Sequence, residues 1–320
     1  MTSLIGNAPV DGVDVAALLG IPISAEQERA VQAPLKPCAV IAGAGTGKTT
    51  VMAARVVWLV ASRLVSPEEI LGLTFTNKAT AELSERIESN LTRVGLLTSE
   101  QPRPTVATYD SFAGTLVNDY GAWDGISTGA HLITGARAYQ LAAEVVMGLD
   151  KAPLAATHMG PTFIAQAVVK LAGAMASHDA SPGKVRRADA RWRQMLLAAP
   201  TKRGGDRYAD IDKWLSRVDE REELLDLVAA YQNLKKERGL VEFGDRMVQA
   251  LHLVTHHPRV GEELRARYRV VLLDEYQDTS SAQADVLAAL FSGPDSAHGM
   301  GHPVMAVSYT HLTLPTIYSV

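Results

Sequence analysis

Cysteine occurs once in these 320 residues, as Cys38, which excludes a disulfide scaffold and a cysteine-based zinc site. No apolar run approaches the roughly 18 to 20 residues of a membrane span. The first Lys or Arg is Arg29, so the charged start of a secretory leader is missing. Neither sign of charge dominates. Lys and Arg number 31 against 35 Asp and Glu, a formal net charge of −4, which excludes a histone-like protein held to nucleic acid by bulk positive charge. A local basic strip stays compatible with nucleic acid. Apolar residues at 47% and charged residues at 21% exclude disorder, collagen and coiled coil as the main architecture. The length allows about two domains of roughly 150 residues. A soluble cytoplasmic protein with no membrane partner is the expectation.

What is present begins near residue 38. Cys38-Ala39-Val40-Ile41 is a short apolar run, followed by the small-residue loop Ala42 to Gly47 and then by apolar residues at helical spacing from Val51 to Leu64. Ile70 to Phe75 reads as a buried strand, with a turn at Thr76-Asn77-Lys78 and a helix carrying Leu83, Ile87 and Leu91. Val106-Ala107-Thr108 is a third strand, Val270 to Asp274 a fourth and Val304 to Val307 a fifth. Strands alternating with helices predict a parallel sheet of the α/β class. Between about 117 and 240 the chain is Ala-, Leu-, Arg- and Glu-rich, with helical spacing and little that resembles a strand. It reads as a helical insertion.

The segment Ala42-Gly43-Ala44-Gly45-Thr46-Gly47-Lys48-Thr49 fits a phosphate-binding loop, with Ala42 where the strict pattern has Gly. Glycines let backbone N–H groups turn around phosphate oxygens at the positive end of the following helix. Lys48 would reach the β- and γ-phosphates and the Thr49 hydroxyl would hold Mg²⁺, with Thr50 next in the loop–helix junction. The competing reading is a small-residue loop that binds nothing. Asp274-Glu275-Tyr276-Gln277-Asp278 follows a buried strand, where a Mg²⁺ partner belongs. Asp274 would hold the metal and Glu275 would orient and deprotonate water; the competing reading is an acidic cap for a helix near Ser280. Lys48 and Asp274 lie 226 positions apart, which requires an inserted domain.

Together these segments resemble a family. Ala42 to Thr49, Leu73-Thr74-Phe75-Thr76-Asn77-Lys78-Ala79 and Asp274 to Thr279 are similar, in order, to three motifs of UvrD/Rep-type superfamily 1 DNA helicases. Ser24-Ala25-Glu26-Gln27 resembles the adenine-reading glutamine motif, with Gln27 as reader. Thr108-Tyr109-Asp110-Ser111-Phe112 resembles the family's Thr-Phe-His-Ser-Phe, and Val241 to Asp245 resembles its Asp-Phe-Asp-Asp segment with changes. The resemblance implies a RecA-like domain built from 15–116 and 241–307, with 117–240 as an accessory helical subdomain. It implies ATP and Mg²⁺ as cofactors and translocation along single-stranded DNA, normally 3′ to 5′, at junctions with duplex. Gln277 would couple the γ-phosphate to DNA contacts. Thr76, Asn77 and Lys78 would lie at the DNA surface, with Phe112 and Tyr109 near the bases or supporting that loop. A helicase subunit of a helicase–nuclease, and a fragment that binds ATP or DNA without turnover, are the alternatives.

Other features are weaker. Residues 184–207 hold eight basic residues against Asp189 and Asp206, with Trp192 among them, so either a phosphate-tracking strip or a solvated face is expected. Trp58, Trp192 and Trp214 read as packing residues, and Asp219 to Glu223 as the solvated first turn of a helix. The family's next motif does not follow Val307. Ser308 to Val320 carry no Asp, Glu, Lys or Arg, and Val307 to Thr316 back-translate to a string resembling a transposon-type sequencing adapter. Residues 308–320 are therefore expected to be a non-native tail.

Overall fold

Short strands buried on both faces need helices on either side, and the chain supplies them in alternation. The computed structural model describes residues 12–43, 45–127, 129–149, 160–202 and 205–309. Two short helices, α1 (Val15–Leu19) and α2 (Ala25–Val31), precede β1 (Cys38–Ile41) and α3 (Lys48–Ala61). Next come β2 (Ile70–Thr74), α4 (Asn77–Arg93), β3 (Thr105–Thr108) and α5 (Tyr109–Tyr120). The helical stretch holds β4 (His131–Leu132), α6 (Gly135–Met147), α7 (Pro161–Ser177), α8 (Pro182–Leu197), α9 (Ala209–Glu237) and β5 (Leu240–Val241). The chain continues through α10 (Phe243–His256), α11 (Pro258–Arg267), β6 (Val270–Leu273), α12 (Ser281–Phe291) and β7 (Val304–Ser308). Among the described residues no helix is long and apolar enough to cross a membrane.

The main sheet is parallel, in the order β1-β7-β6-β2-β3. All five positions of β2 and all four of β6 are buried, as expected of central parallel strands. The two strands that follow the helical stretch, β6 and β7, lie between β1 and β2. The sheet therefore closes only when the chain returns from the insertion. Because every strand runs the same way, five strand ends open on one edge: the loop after Ile41, the 75–78 turn, Tyr109, Asp274 and Ser308.

The described residues fall into two units. The first takes Met1–Thr115, Leu253–Thr279 and Gln283–Val320; the second takes Leu116–His252 and Ser280–Ala282. The helical unit thus runs on to His252, where the motif reading ends the insertion at 240. The physical reason is packing: β5 pairs with β4, and Glu242 and Asp245 bond Lys235 of α9, so the start of α10 belongs with the helices. In the first unit, α3 buries Met52, Val56 and Leu59 in a core shared with Leu83, Ile87 and Leu91 of α4 and Leu272 of β6. In the second, Leu141 of α6, Val168 of α7 and Leu225, Val228 and Tyr231 of α9 form a separate core.

Three further expectations meet the structure here. Four of the eight basic residues of the 184–207 strip are paired: Arg186 with Glu222 and Asp226, Arg193 with Asp219, Lys184 with Asp179 and Arg207 with Asp212. Asp219 to Glu223 lie in the interior of α9 rather than at its start, and two of these acids face the arginines of α8. Trp192 is 53% exposed and Trp214 is exposed too, whereas Trp58 packs against the first core.

Candidate functional site

The loop after β1 owes its shape to glycine. Gly45 and Gly47 have φ of +76° and +81°, a region that L side chains rarely adopt, and Gly47 is also the N-cap of α3. Thr46 Oγ1 donates to the Gly43 carbonyl at 2.8 Å, and Lys48 Nζ reaches the same carbonyl at 3.4 Å. That ammonium also lies 4.9 Å from the centre of the Tyr309 ring. Ala42, Thr49 and Thr50 are half-buried at the junction, while Ala44 lies outside the described residues. Thr50 Oγ1 accepts a hydrogen bond from Arg86 of α4 at 2.9 Å. No local motif had singled out Arg86, because the contact spans two helices.

Gln27 sits against this loop from outside. Ser24 caps α2, and Gln27 closes the capping box by accepting from the Ser24 N–H at 2.9 Å. The other end of the same amide donates to the Thr46 carbonyl at 2.9 Å. Behind it, the Arg55 guanidinium of α3 donates to the carbonyls of Ala30, Val31, Ala33 and Pro34, at the C-terminal end of α2 and beyond. Helix α2 is thus tied to the loop at one end and to α3 at the other.

Across β7 from the loop, β6 ends at Asp274. The residue is 6% exposed and its N–H donates to the Leu73 carbonyl at 2.8 Å, which continues the β6–β2 ladder. Burial, and then the charge of Glu275, raise the Asp274 pKa above the ordinary carboxylate value; the Glu275 N–H and the Lys48 ammonium partly oppose this. Glu275 has φ +48°, a left-handed conformation that a side chain bearing Cβ adopts at a cost of about 1 to 2 kcal/mol. Gln277 is the hub of the turn. Its Nε2 donates to Glu275 Oε2 at 2.6 Å and to Asp278 at 3.0 Å, and its Oε1 accepts from Ser308 Oγ at 2.8 Å.

The matching region is long. Residues 23–307 match the UvrD/REP helicase N-terminal domain. The chain belongs to that family. Individual relatives agree: DNA helicase II of Rickettsia typhi is 26% identical over 272 residues, covering 84% of this chain and 36% of the relative. ATP-dependent DNA helicase UvrD1 of Mycobacterium bovis is 27% identical over 282 residues, covering 87% of this chain and 31% of the relative. DNA helicase II of Haemophilus influenzae is 28% identical over 272 residues, covering 85% and 32% respectively. The chain spans about a third of the length of these curated relatives.

The remaining expected positions divide sharply by exposure. Thr76 is the N-cap of α4, accepting from the Ala79 N–H at 3.1 Å, and Asn77 and Lys78 are exposed in the first turn. These three form an open surface beside the half-exposed ring of Phe75. Tyr109 and Phe112 do not join it: they are 3% and 5% exposed, at the start of α5. Tyr109 donates its hydroxyl to the Asp274 carbonyl at 3.0 Å and packs edge-on to Phe75, so it supports the loop rather than facing solvent. Ser308 is the last residue of β7, paired with Ile41, so the strand runs one residue into the segment expected to be non-native. Tyr309 is also described, and the remainder of that segment, 310–320, lies outside the described residues.

Proposed function

We propose that this chain is the ATP-binding portion of a DNA-translocating helicase that moves 3′ to 5′ along single-stranded DNA and works at junctions with duplex. The observation that carries this reading is the convergence, at one edge of a single parallel sheet, of the Lys48 loop, the Asp274–Glu275 turn and the open 76–78 surface. The residues fit a nucleoside triphosphate with Mg²⁺. Two left-handed glycines shape the loop, Lys48 makes a long bond to the Gly43 carbonyl and lies over the Tyr309 ring, and a buried carboxylate waits across β7. Bound ATP supplies the phosphoryl group that is transferred to water.

In this reading the N–H groups from Gly43 to Thr49, together with Lys48, hold the phosphates. The Thr49 hydroxyl and Asp274 hold the metal, and Glu275 orients water and takes its proton. Gln277 lies between Glu275 and the end of β7, where a change at the γ-phosphate reaches a neighbouring strand. Gln27 keeps its amide on the loop and is placed to read adenine. Thr76, Asn77 and Lys78 meet the DNA backbone. The sheet unit then corresponds to a RecA-like domain and the helical unit to its accessory subdomain. DNA repair is the process inferred from the UvrD/Rep-type resemblance; the relatives' names say DNA helicase.

A second reading applies to these 320 residues alone: nucleotide and DNA binding without turnover. It is favoured by the relatives' greater length, since the resemblance places the arginines that complete the phosphate site in a second RecA-like domain. A helicase–nuclease subunit is a third, and rests on the same motifs. Titration with ATP and measurement of DNA-stimulated hydrolysis separate them. Lys48→Ala is expected to weaken ATP binding and lower any turnover by on the order of 10² or more, leaving the melting temperature within a degree or two. Unchanged ATP affinity in that variant would sink the assignment of the loop.

A further inference from the structure

One buried hydroxyl at the site has no counterpart in the family pattern. The motif that Thr108 to Phe112 resembles has Phe where this chain has Tyr109. A Phe would fill the same space and leave the Asp274 carbonyl without this donor. Here the hydroxyl donates to that carbonyl at 3.0 Å, in surroundings dry enough to raise its pKa strongly. A buried hydroxyl left unbonded costs free energy, so the bond holds both partners in place.

The location of that bond decides what it does. Asp274 is the last residue before the left-handed Glu275, and its carbonyl belongs to the peptide that leads into that strained residue. The Asp274 N–H is held by Leu73 at 2.8 Å and its carboxylate accepts from the Glu275 N–H at 3.0 Å. Tyr109 supplies the third restraint on the carboxylate-bearing residue. The ring itself is set by Phe75, edge to face at 6.5 Å between centroids and 63° between planes. Phe75 is half exposed and directly precedes Thr76. The chain of contacts therefore runs from the open 76–78 loop, through one ring pair and one hydroxyl, to the carboxylate.

We propose that Tyr109 is a positioning residue that links the 75–78 loop to the Asp274–Glu275 turn, fixing the Asp274 carboxylate for Mg²⁺. This rests on the reading of Asp274 as the metal-holding residue. It acts through Asp274 and touches neither nucleotide nor DNA.

The test measures binding of a fluorescent ATP analogue to the full chain, with Mg²⁺ and with chelator, in wild type, Tyr109→Phe, Phe75→Ala and the double variant. Phenylalanine stands at position 109 in the family pattern, so Tyr109→Phe is expected to fold. Its Mg²⁺ enhancement of affinity is expected to fall about five-fold, the range of one buried hydrogen bond, with the metal-free affinity unchanged. Phe75→Ala is expected to lower the enhancement less, and to add nothing once Tyr109 is Phe. A loss of thermal stability in Tyr109→Phe with the Mg²⁺ enhancement intact would reduce the hydroxyl to packing and overturn the proposal. Independent, multiplying losses in the double variant would overturn the link to the loop. If wild type itself shows no Mg²⁺ enhancement while binding the analogue, the reading of Asp274 fails first and takes the proposal with it.

Discussion

Ionising Asp274 inside the end of the sheet opposes folding, because burial and Glu275 both favour its neutral form. Its folded pKa lies above the ordinary 3.8, so the folded state takes up this proton more readily than the unfolded chain. The penalty is fully present above the folded pKa and disappears as pH falls through it towards the ordinary value. Asp274→Asn removes the penalty. The variant is expected to melt at a higher temperature than wild type at pH 7, with the gap narrowing on acidification and Mg²⁺-dependent nucleotide binding lost at every pH. Melting curves across that range check it, and a variant less stable than wild type at neutral pH would contradict the sign. Glu275, with its positive φ, belongs to the same pattern of a site held in a conformation that the rest of the sheet stabilises.

Among the elements, α2 depends most on a contact remote in sequence. It has only seven residues, too few to be stable in isolation. Arg55 is 1% exposed and spends its guanidinium on four carbonyls at and beyond the end of α2, while its Nε finds no partner. Arg55→Met would take the side-chain donor from the Val31 and Ala33 carbonyls, whereas those of Ala30 and Pro34 keep backbone N–H partners. It is expected to cost about 3 kcal/mol of stability and to speed amide exchange in α2, both measurable by urea denaturation and hydrogen exchange. A loss below about 1 kcal/mol would mean that water replaces the guanidinium. Nothing in the sequence marks Arg55, since it occupies one of many helical positions in an apolar segment. Ser24 and Gln27, by contrast, could be placed from their spacing, because a capping box closes over three residues. The same distinction explains α8 and α9. Their charges are visible in the sequence, but that Arg186 and Arg193 meet acids of α9 depends on helix packing, so a strip counted as strongly basic is paired at four of its eight basic residues.

For the molecule as a whole, a net charge of −4 and a basic strip paired at four of its eight basic residues limit the long-range attraction for a polyanion. Single-stranded DNA binding at the 76–78 surface is therefore expected to have a shallow dependence on salt. Among the described residues Lys78 pairs with Glu82, at 3.7 Å and in solvent, so it remains available. Lys78→Ala is expected to reduce the slope of log affinity against log salt by about 0.7, the increment for one phosphate contact on a single strand. An unchanged slope would remove Lys78 from the interface.

The strand–loop–helix motifs, the α/β class and the family were readable from residues alone, because each is written in a short stretch where glycine, caps and apolar spacing act locally. Three-dimensional packing supplied the rest. It inserted β6 and β7 between β1 and β2, and so brought Lys48 near a carboxylate 226 residues away. It assigned the start of α10 to the helical unit, and, of the two places expected for Tyr109 and Phe112, it took them inward, with Tyr109 supporting the loop rather than facing solvent. These outcomes depend on which distant side chains fill the same core. No local spacing encodes that choice, and the buried area that drives it exists only once the sheet has closed.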